Sequence, residues 1–262
     1  MCRKMSFAGA FYPARPKKIL DFFDSFNNRL EKEKHPSLSY TQTTKAIIVP
    51  HAGYMYSGYT ANAAYRIFAK QALSNIVVIG PSHHQPLHGI SLCQSSYFQT
   101  PLGTISNAPL EDELKNIFSL RQKISHEEHS TEVQFPFIKH YHPKASIVEI
   151  IYGLVKPIEV QKIIEHALLL PDTGVIISTD LSHFHPLTKA KMKDSLCLKG
   201  IETLDASILS DGCEACGLTG IKAMINAAQT LKLTPHIIDY RTSADASKDS
   251  SRVVGYASAI FV

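Results

Sequence analysis

The sequence predicts an α/β fold: a single domain over residues 1–262, with a central, mainly parallel or mixed sheet flanked by helices. Two observations predict it. Short apolar, β-branched runs alternate along the chain with longer stretches whose apolar residues recur every three or four positions. Polar, histidine-bearing segments then follow several of those runs directly, at the place where strands of an open α/β sheet present their binding loops. With 262 residues and 44% hydrophobic content, the chain can bury one large core.

The first element is a helix over 16–34, because Ile19, Phe22, Phe23, Phe26 and Leu30 fall on one face and the charged residues on the other. A polar connection over 35–44 follows. Buried strands are predicted over 46–49, 76–79, 146–151 and 175–178, and a last one across 253–262. Between them, helical spacing marks 60–70, 109–120, 158–170, 189–204 and 217–231, with Pro109 suited to a first helical turn. Parallel neighbours need crossover connections, and these helices supply them. The segment 87–104 breaks the pattern. Alternation around Ile90–Cys93, followed by Pro101, predicts an antiparallel excursion or edge hairpin there. The polar stretch 242–252 reads as a surface loop, and the chain has no internal repeat or low-complexity tract.

Charge and cysteine content narrow the function. The formal charge is +4, and residues 1–34 hold eight Lys/Arg against four Asp/Glu, so the excess sits on one amphipathic segment. That is a solvated helix face and not the basic stripe of a nucleic-acid binder. Five cysteines (Cys2, Cys93, Cys197, Cys213 and Cys216) form no regular framework, which predicts free thiols in a reducing compartment. The N-terminal residues lack the apolar stretch of a signal peptide, and no window approaches the roughly 18 apolar residues of a membrane span. A cytoplasmic protein without a membrane partner is expected.

The chemistry gathers after the strands, in Pro50-His51-Ala52-Gly53, Gly80-Pro81-Ser82-His83-His84 and Ser178-Thr179-Asp180-Leu181-Ser182-His183. Imidazoles from two neighbouring strand ends can approach one divalent ion from fixed directions, which makes His51 and His83 candidate metal ligands. The plainer reading of either is a hydrogen-bonded core or surface histidine. Asp180 and His183 suit extra ligands or a general acid/base pair, while Asp180 alone also suits a helix N-cap. His129 and Glu132 raise the same alternatives. Cys213 and Cys216 form a CxxC without the second pair that a zinc ribbon requires. Cys216-Gly217 precedes a predicted helix, a position that lowers a thiol pKa, and leaves Cys216 as ligand, nucleophile or neither.

Taken in order, His51-Ala52-Gly53-Tyr54, Gly80-Pro81-Ser82-His83-His84, Glu128-His129-Ser130-Thr131-Glu132, Asp180-Leu181-Ser182-His183 and Cys216-Gly217 resemble the Memo family. The opening Ala8-Gly9-Ala10-Phe11-Tyr12-Pro13 and the closing Tyr256-Ala257-Ser258-Ala259 extend that resemblance almost end to end. It implies a fold like that of the class III extradiol dioxygenases, with a metal pocket at the sheet edge. Carried over motif by motif, His51, His83 and Cys216 would be the metal ligands, with Asp180 and His183 lining the same pocket and His84 and His129 as neighbours. A thiolate where those dioxygenases carry a carboxylate softens the site toward copper, zinc or thiolate-tolerant iron. The expected cofactor is an iron or copper ion, with zinc a third choice, serving redox or dioxygenase-like chemistry on an unknown substrate. Two other expectations stand beside it: a non-catalytic pocket that captures a (phospho)peptide or small ligand, and nucleophilic catalysis by Cys216 with His51 or His83 as base. Association with radical-SAM and Ammecr-like proteins is implied by the resemblance alone.

Overall fold

In the computed structural model, which describes residues 1–118, 120–123 and 126–262, strand and helix alternate as the sequence predicts. The strands, in chain order, are β1 (Cys2–Arg3), β2 (Ala46–Val49), β3 (Asn75–Pro81), β4 (Ile90–Cys93), β5 (Tyr97–Thr100), β6 (Gly103–Ser106), β7 (Arg121–Lys123), β8 (Ser146–Tyr152), β9 (Thr173–Ser178), β10 (His183–His185), β11 (Pro235–Thr242) and β12 (Val253–Phe261). The helices are α1 (Pro16–Lys32), α2 (Tyr54–Phe68), α3 (Leu110–Ile117), α4 (His129–Glu132), α5 (Phe135–Tyr141), α6 (Pro157–Leu169), α7 (Leu187–Glu202), α8 (Leu218–Leu231) and α9 (Ala244–Ser247).

The large sheet is mixed. Its order is β10-β12-β2-β9-β3-β8-β4-β7, with β11 also paired to β12. The centre, β2-β9-β3-β8, is parallel throughout, whereas β12 runs antiparallel to β2 and β4 antiparallel to β8. Successive side chains of a strand face opposite ways, and the core divides accordingly. Ala46, Ile48, Val77, Ile79, Val175 and Ile177 pack on the face covered by α6 and α8. Ile47, Val49, Ile76, Val78 and Ile176 pack on the other, with Phe23 of α1, Tyr65 of α2 and Phe137 of α5. Burial on both faces explains why these strands read as unbroken apolar runs rather than alternating ones.

The excursion over 87–104 is present as β4, antiparallel to β8, and as the hairpin β5–β6. The stretch 242–252 holds the short α9 and is largely exposed. Two expectations need correction, and one strand was not foreseen. The helix predicted over 60–70 begins at Tyr54, directly after the histidine loop; its first turns expose Met55 and Tyr56 and bury Ser57 and Gly58, so they lack a one-sided apolar spacing. Cys197 and Cys213 are not free thiols: they form a disulfide that ties α7 to the loop before α8. The strand β11 had no counterpart in the sequence reading, since only Ile238 and Thr242 of its residues are buried. The helix predicted over 109–120 is seen over Leu110–Ile117, and Ser119 lies outside the described residues.

Candidate metal centre

Three parallel neighbours, β2, β9 and β3, end side by side, with Val49 level with Ser178 and Ile79 level with Ile177. The loops that leave them therefore converge without any long-range adjustment. His51 follows β2, His83 follows β3 and Asp180 follows β9. Cys216 arrives from the far side, on the turn into α8, where its backbone N–H donates to the carbonyl of Asp180 at 3.2 Å. That approach needs glycine next door, because a Cβ on Gly217 would stand 2.5 Å from the Thr179 Cβ.

The ligand atoms of His51, His83 and Cys216 lie within 4.8 Å of one another. Hydrogen bonds assign the imidazole protons. The Ser178 hydroxyl donates to the Ser130 carbonyl and already receives the Gln134 amide at 2.9 Å, so towards His51 Nδ1, 3.1 Å away, it acts as acceptor. His51 thus carries its proton on Nδ1, and its Nε2 lone pair faces Cys216 Sγ at 3.3 Å. His83 Nδ1 is 3.1 Å from Glu128 Oε1, and an ionised carboxylate can only accept, so His83 also keeps Nε2 free. Burial alone would raise the Glu128 carboxyl. Hydrogen bonds from His129 and His83 and from the backbone N–H groups of His83 and Ser130 outweigh it and hold the group well below the usual carboxylate range.

Burial, reinforced by the neighbouring His129 and His83, depresses the His51 pKa well below the ordinary histidine value, so the ring is neutral at pH 7. Neutral imidazole is the form that binds a metal. Burial, with Asp180 nearby, pushes the Cys216 thiol up to about 12, which corrects the expectation of a thiol activated by its helix start: desolvation wins over the helix. A metal would displace the thiol proton on binding.

The chain belongs to the Memo family. The model of the Memo-like protein family matches residues 3–260. A MEMO1 family protein of Sulfolobus acidocaldarius is 31% identical over 285 residues, which cover all of this chain and 99% of that protein. One from Thermoplasma acidophilum is 32% identical over 274 residues, with the same coverage of both chains, and one from Aquifex aeolicus is 31% identical over 274 residues and 99% of each. The Memo resemblance read from the motifs is thus met along the full match.

The other candidate residues of this Memo-family chain divide by position. Asp180 is 4% exposed and caps no helix: its Oδ1 accepts the backbone N–H groups of His51 at 2.7 Å and Ala52 at 3.3 Å, fixing the histidine loop. Burial raises its pKa against those bonds and against the field of His183 and His129. His183 opens β10 with its ring beside Phe184, outside the three-ligand group. His129 joins the site through its ring, 5.3 Å from His51 and 4.6 Å from His83, and Phe11 stacks on it. Its Nδ1 lies 3.0 Å from His84 Nε2. Glu132 belongs elsewhere: it is fully buried, binding Arg3 at 2.6 Å and the Tyr12 hydroxyl at 2.8 Å. The sequence reading missed Ser178 and Glu128 as proton-fixing partners. Both stood in the quoted motifs, but their role depends on which histidine nitrogen they meet, and spacing does not carry that.

No helix among the described residues is long and apolar enough to cross a membrane.

Proposed function

We propose that this Memo-family chain binds one transition-metal ion, iron or copper, through His51 Nε2, His83 Nε2 and Cys216 Sγ, and uses it for redox or oxygen chemistry on a substrate still to be identified. The observation that carries the reading is the proton assignment: Ser178 and Glu128 each take the Nδ1 proton of one histidine and free both Nε2 lone pairs beside the thiol. Partners of this kind recur around metal-ligating histidines, where they fix the tautomer and raise ligand basicity. A metal so held would supply Lewis acidity or a one-electron couple. The chain's own residues do the rest. Asp180, whose Oδ1 accepts the His51 and Ala52 backbone N–H groups, serves as an acid/base group beside His51, with His183 near it. Phe11 stacks on His129 along one side of the site. Kinship with class III extradiol dioxygenases is part of this proposal, supported by a site at the strand ends of a mixed sheet.

A second reading, capture of a (phospho)peptide or small ligand without turnover, draws on one further feature. A cleft of about 580 Å³ runs past Phe11, Tyr54, Met55 and Tyr56, and among the described residues its charged lining is Arg15 and Lys18.

Metal analysis of untagged protein prepared anaerobically separates the two. About one equivalent of iron or copper in the wild type, lost in Cys216→Ser, is the expected result. Wild-type protein that is metal-free and takes up neither iron, copper nor zinc would leave the capture reading.

A further inference from the structure

A second cluster of side chains of metal-ligating type lies inside the molecule, apart from the strand-end histidines. In the antiparallel pair β4–β8, Ser91 stands opposite Ile151 and Leu92 opposite Ile150, so the register carries Cys93 to Glu149. Alternation then sets Ser91, Cys93 and Glu149 on one face of the sheet. His126, just before α4, covers them. The Cys93, His126 and Glu149 ligand atoms lie within 4.8 Å of one another, and all three residues are buried.

Two features separate this group from an ordinary buried ion pair. The first is charge. Arg3 gives its terminal nitrogens to Glu132 Oε2 at 2.6 Å and to the Glu128 carbonyl at 2.9 Å. Its Nε lies 2.9 Å from Glu149 Oε2, yet neither atom makes a hydrogen bond there, because the N–H is not aimed at the oxygen. One guanidinium thus serves two fully buried carboxylates, hydrogen-bonded to Glu132 and standing beside Glu149. The second feature is the imidazole. His126 Nε2 is held by Ser91 Oγ at 2.9 Å, while its Nδ1 points towards Glu149 Oε2 at 3.5 Å and has no hydrogen-bond partner among the described residues. Buried polar atoms left in this way are costly, and a cation between them would satisfy both.

We infer that Cys93 Sγ, His126 Nδ1 and Glu149 Oε2 form a buried structural site for a divalent zinc-type cation, with Ser91 orienting the imidazole. Thiolate, imidazole and carboxylate are the donor types zinc accepts. Binding exchanges the Cys93 S–H proton, released to solvent, for a sulfur–metal bond, with no change of oxidation state. The cation adds positive charge beside two buried carboxylates that share the Arg3 guanidinium. It joins β4, β8 and the segment before α4, the same segment whose Glu128 orients His83.

The test starts from a His51→Ala/Cys216→Ser double variant, which removes two proposed ligands of the strand-end centre, so the two sites are read separately. Expressed in medium supplemented with Co²⁺ as a spectroscopic stand-in, it is expected to retain about one equivalent of cobalt with a thiolate-to-cobalt charge-transfer band. Adding Cys93→Ala should remove the band and the cobalt, and so should His126→Gln made separately. Cobalt held by the remaining surface histidines shows no thiolate band. The proposal is overturned if the folded double variant carries no such band, or if the band survives either added substitution; should Cys93→Ala fail to fold, His126→Gln decides alone.

Discussion

At the scale of single residues, the strand-end site depends less on its three ligand candidates than on the groups that set their protons. His51 is held by a hydroxyl whose own proton is committed to a carbonyl, and His83 by a carboxylate that receives several N–H groups at once. Glu128→Gln keeps the shape of the side chain but substitutes a neutral amide, which can turn its NH₂ toward His83 Nδ1 and invert the tautomer. The expected outcome is a folded protein whose metal affinity falls by about 10- to 100-fold, measured by competition with a chromophoric chelator. Unchanged affinity would show that His83 needs no carboxylate partner and would remove the main support for the ligand assignment. Much of this site was legible in the sequence, since His51, His83, Asp180 and Cys216 stand in motifs that adjoin predicted elements. What could not be read was direction: spacing says that His83 and Glu128 occur, but only the paired strands and α4 show which nitrogen meets which oxygen.

At the scale of elements, the buried parallel strands were the most legible part of the chain because both of their faces are apolar. β11 was not, because its partly exposed residues, such as Asp239, Tyr240 and Arg241, give neither an apolar run nor clean alternation. The tie between α7 and the loop before α8 was also hidden, for sequence spacing cannot tell a CxxC whose first thiol bonds elsewhere from a free pair. The Cys197–Cys213 disulfide closes a short loop, with a sequence separation of 16. A loop of that size limits the unfolded chain enough to contribute about 3 kcal/mol. Cys213 is also only three residues from Cys216, so the bond restrains the turn that presents the Cys216 thiol. A Cys197→Ala/Cys213→Ala variant is expected to be less stable to urea by about that free energy, with a lower midpoint and an m-value no smaller than that of the oxidised wild type, because its unfolded chain is freer to expand. Equal midpoints for the variant and the oxidised wild type would mean that packing of α7 against β11 and β12 already fixes the loop.

At the scale of the whole molecule, two neutral imidazoles are buried at opposite edges of the same sheet. His51 follows β2 at the edge where the parallel strands end, and His142 precedes β8 at the edge where they begin. Burial depresses both: His51 well below the ordinary value, helped by His129 and His83, and His142 to about 4 by desolvation alone. The unfolded chain takes up protons on both near pH 6.5, while the folded chain does not. Their contribution to stability is therefore complete above about pH 6.5 and is lost as pH falls, at up to about 1.4 kcal/mol per pH unit for each ring, down to the folded pKa. Asp180 and Asp194, whose burial raises their pKa, act with the opposite sign, because the folded state holds their protons more firmly. The carboxyls of Glu128 and Glu33 are depressed and weaken the fold only once pH drops below the ordinary carboxylate value. Between about pH 6.5 and pH 5 the two histidines act in full, because an unfolded imidazole is already charged there, and the aspartates oppose them only where the pH lies below their folded-state pKa. Metal-free protein is expected to have a lower urea midpoint at about pH 5 than at about pH 7. His142→Phe keeps a ring against Phe68, which the His142 imidazole meets edge-on at 4.9 Å, and it removes one of the two titrations. That variant should lose less stability over the same interval, by up to about 1.4 kcal/mol per pH unit. A wild-type midpoint that does not move between these two pH values would mean that the edges open locally to admit the proton, and that the two faces of the core do not respond to a charge at the sheet edge as one cooperative unit.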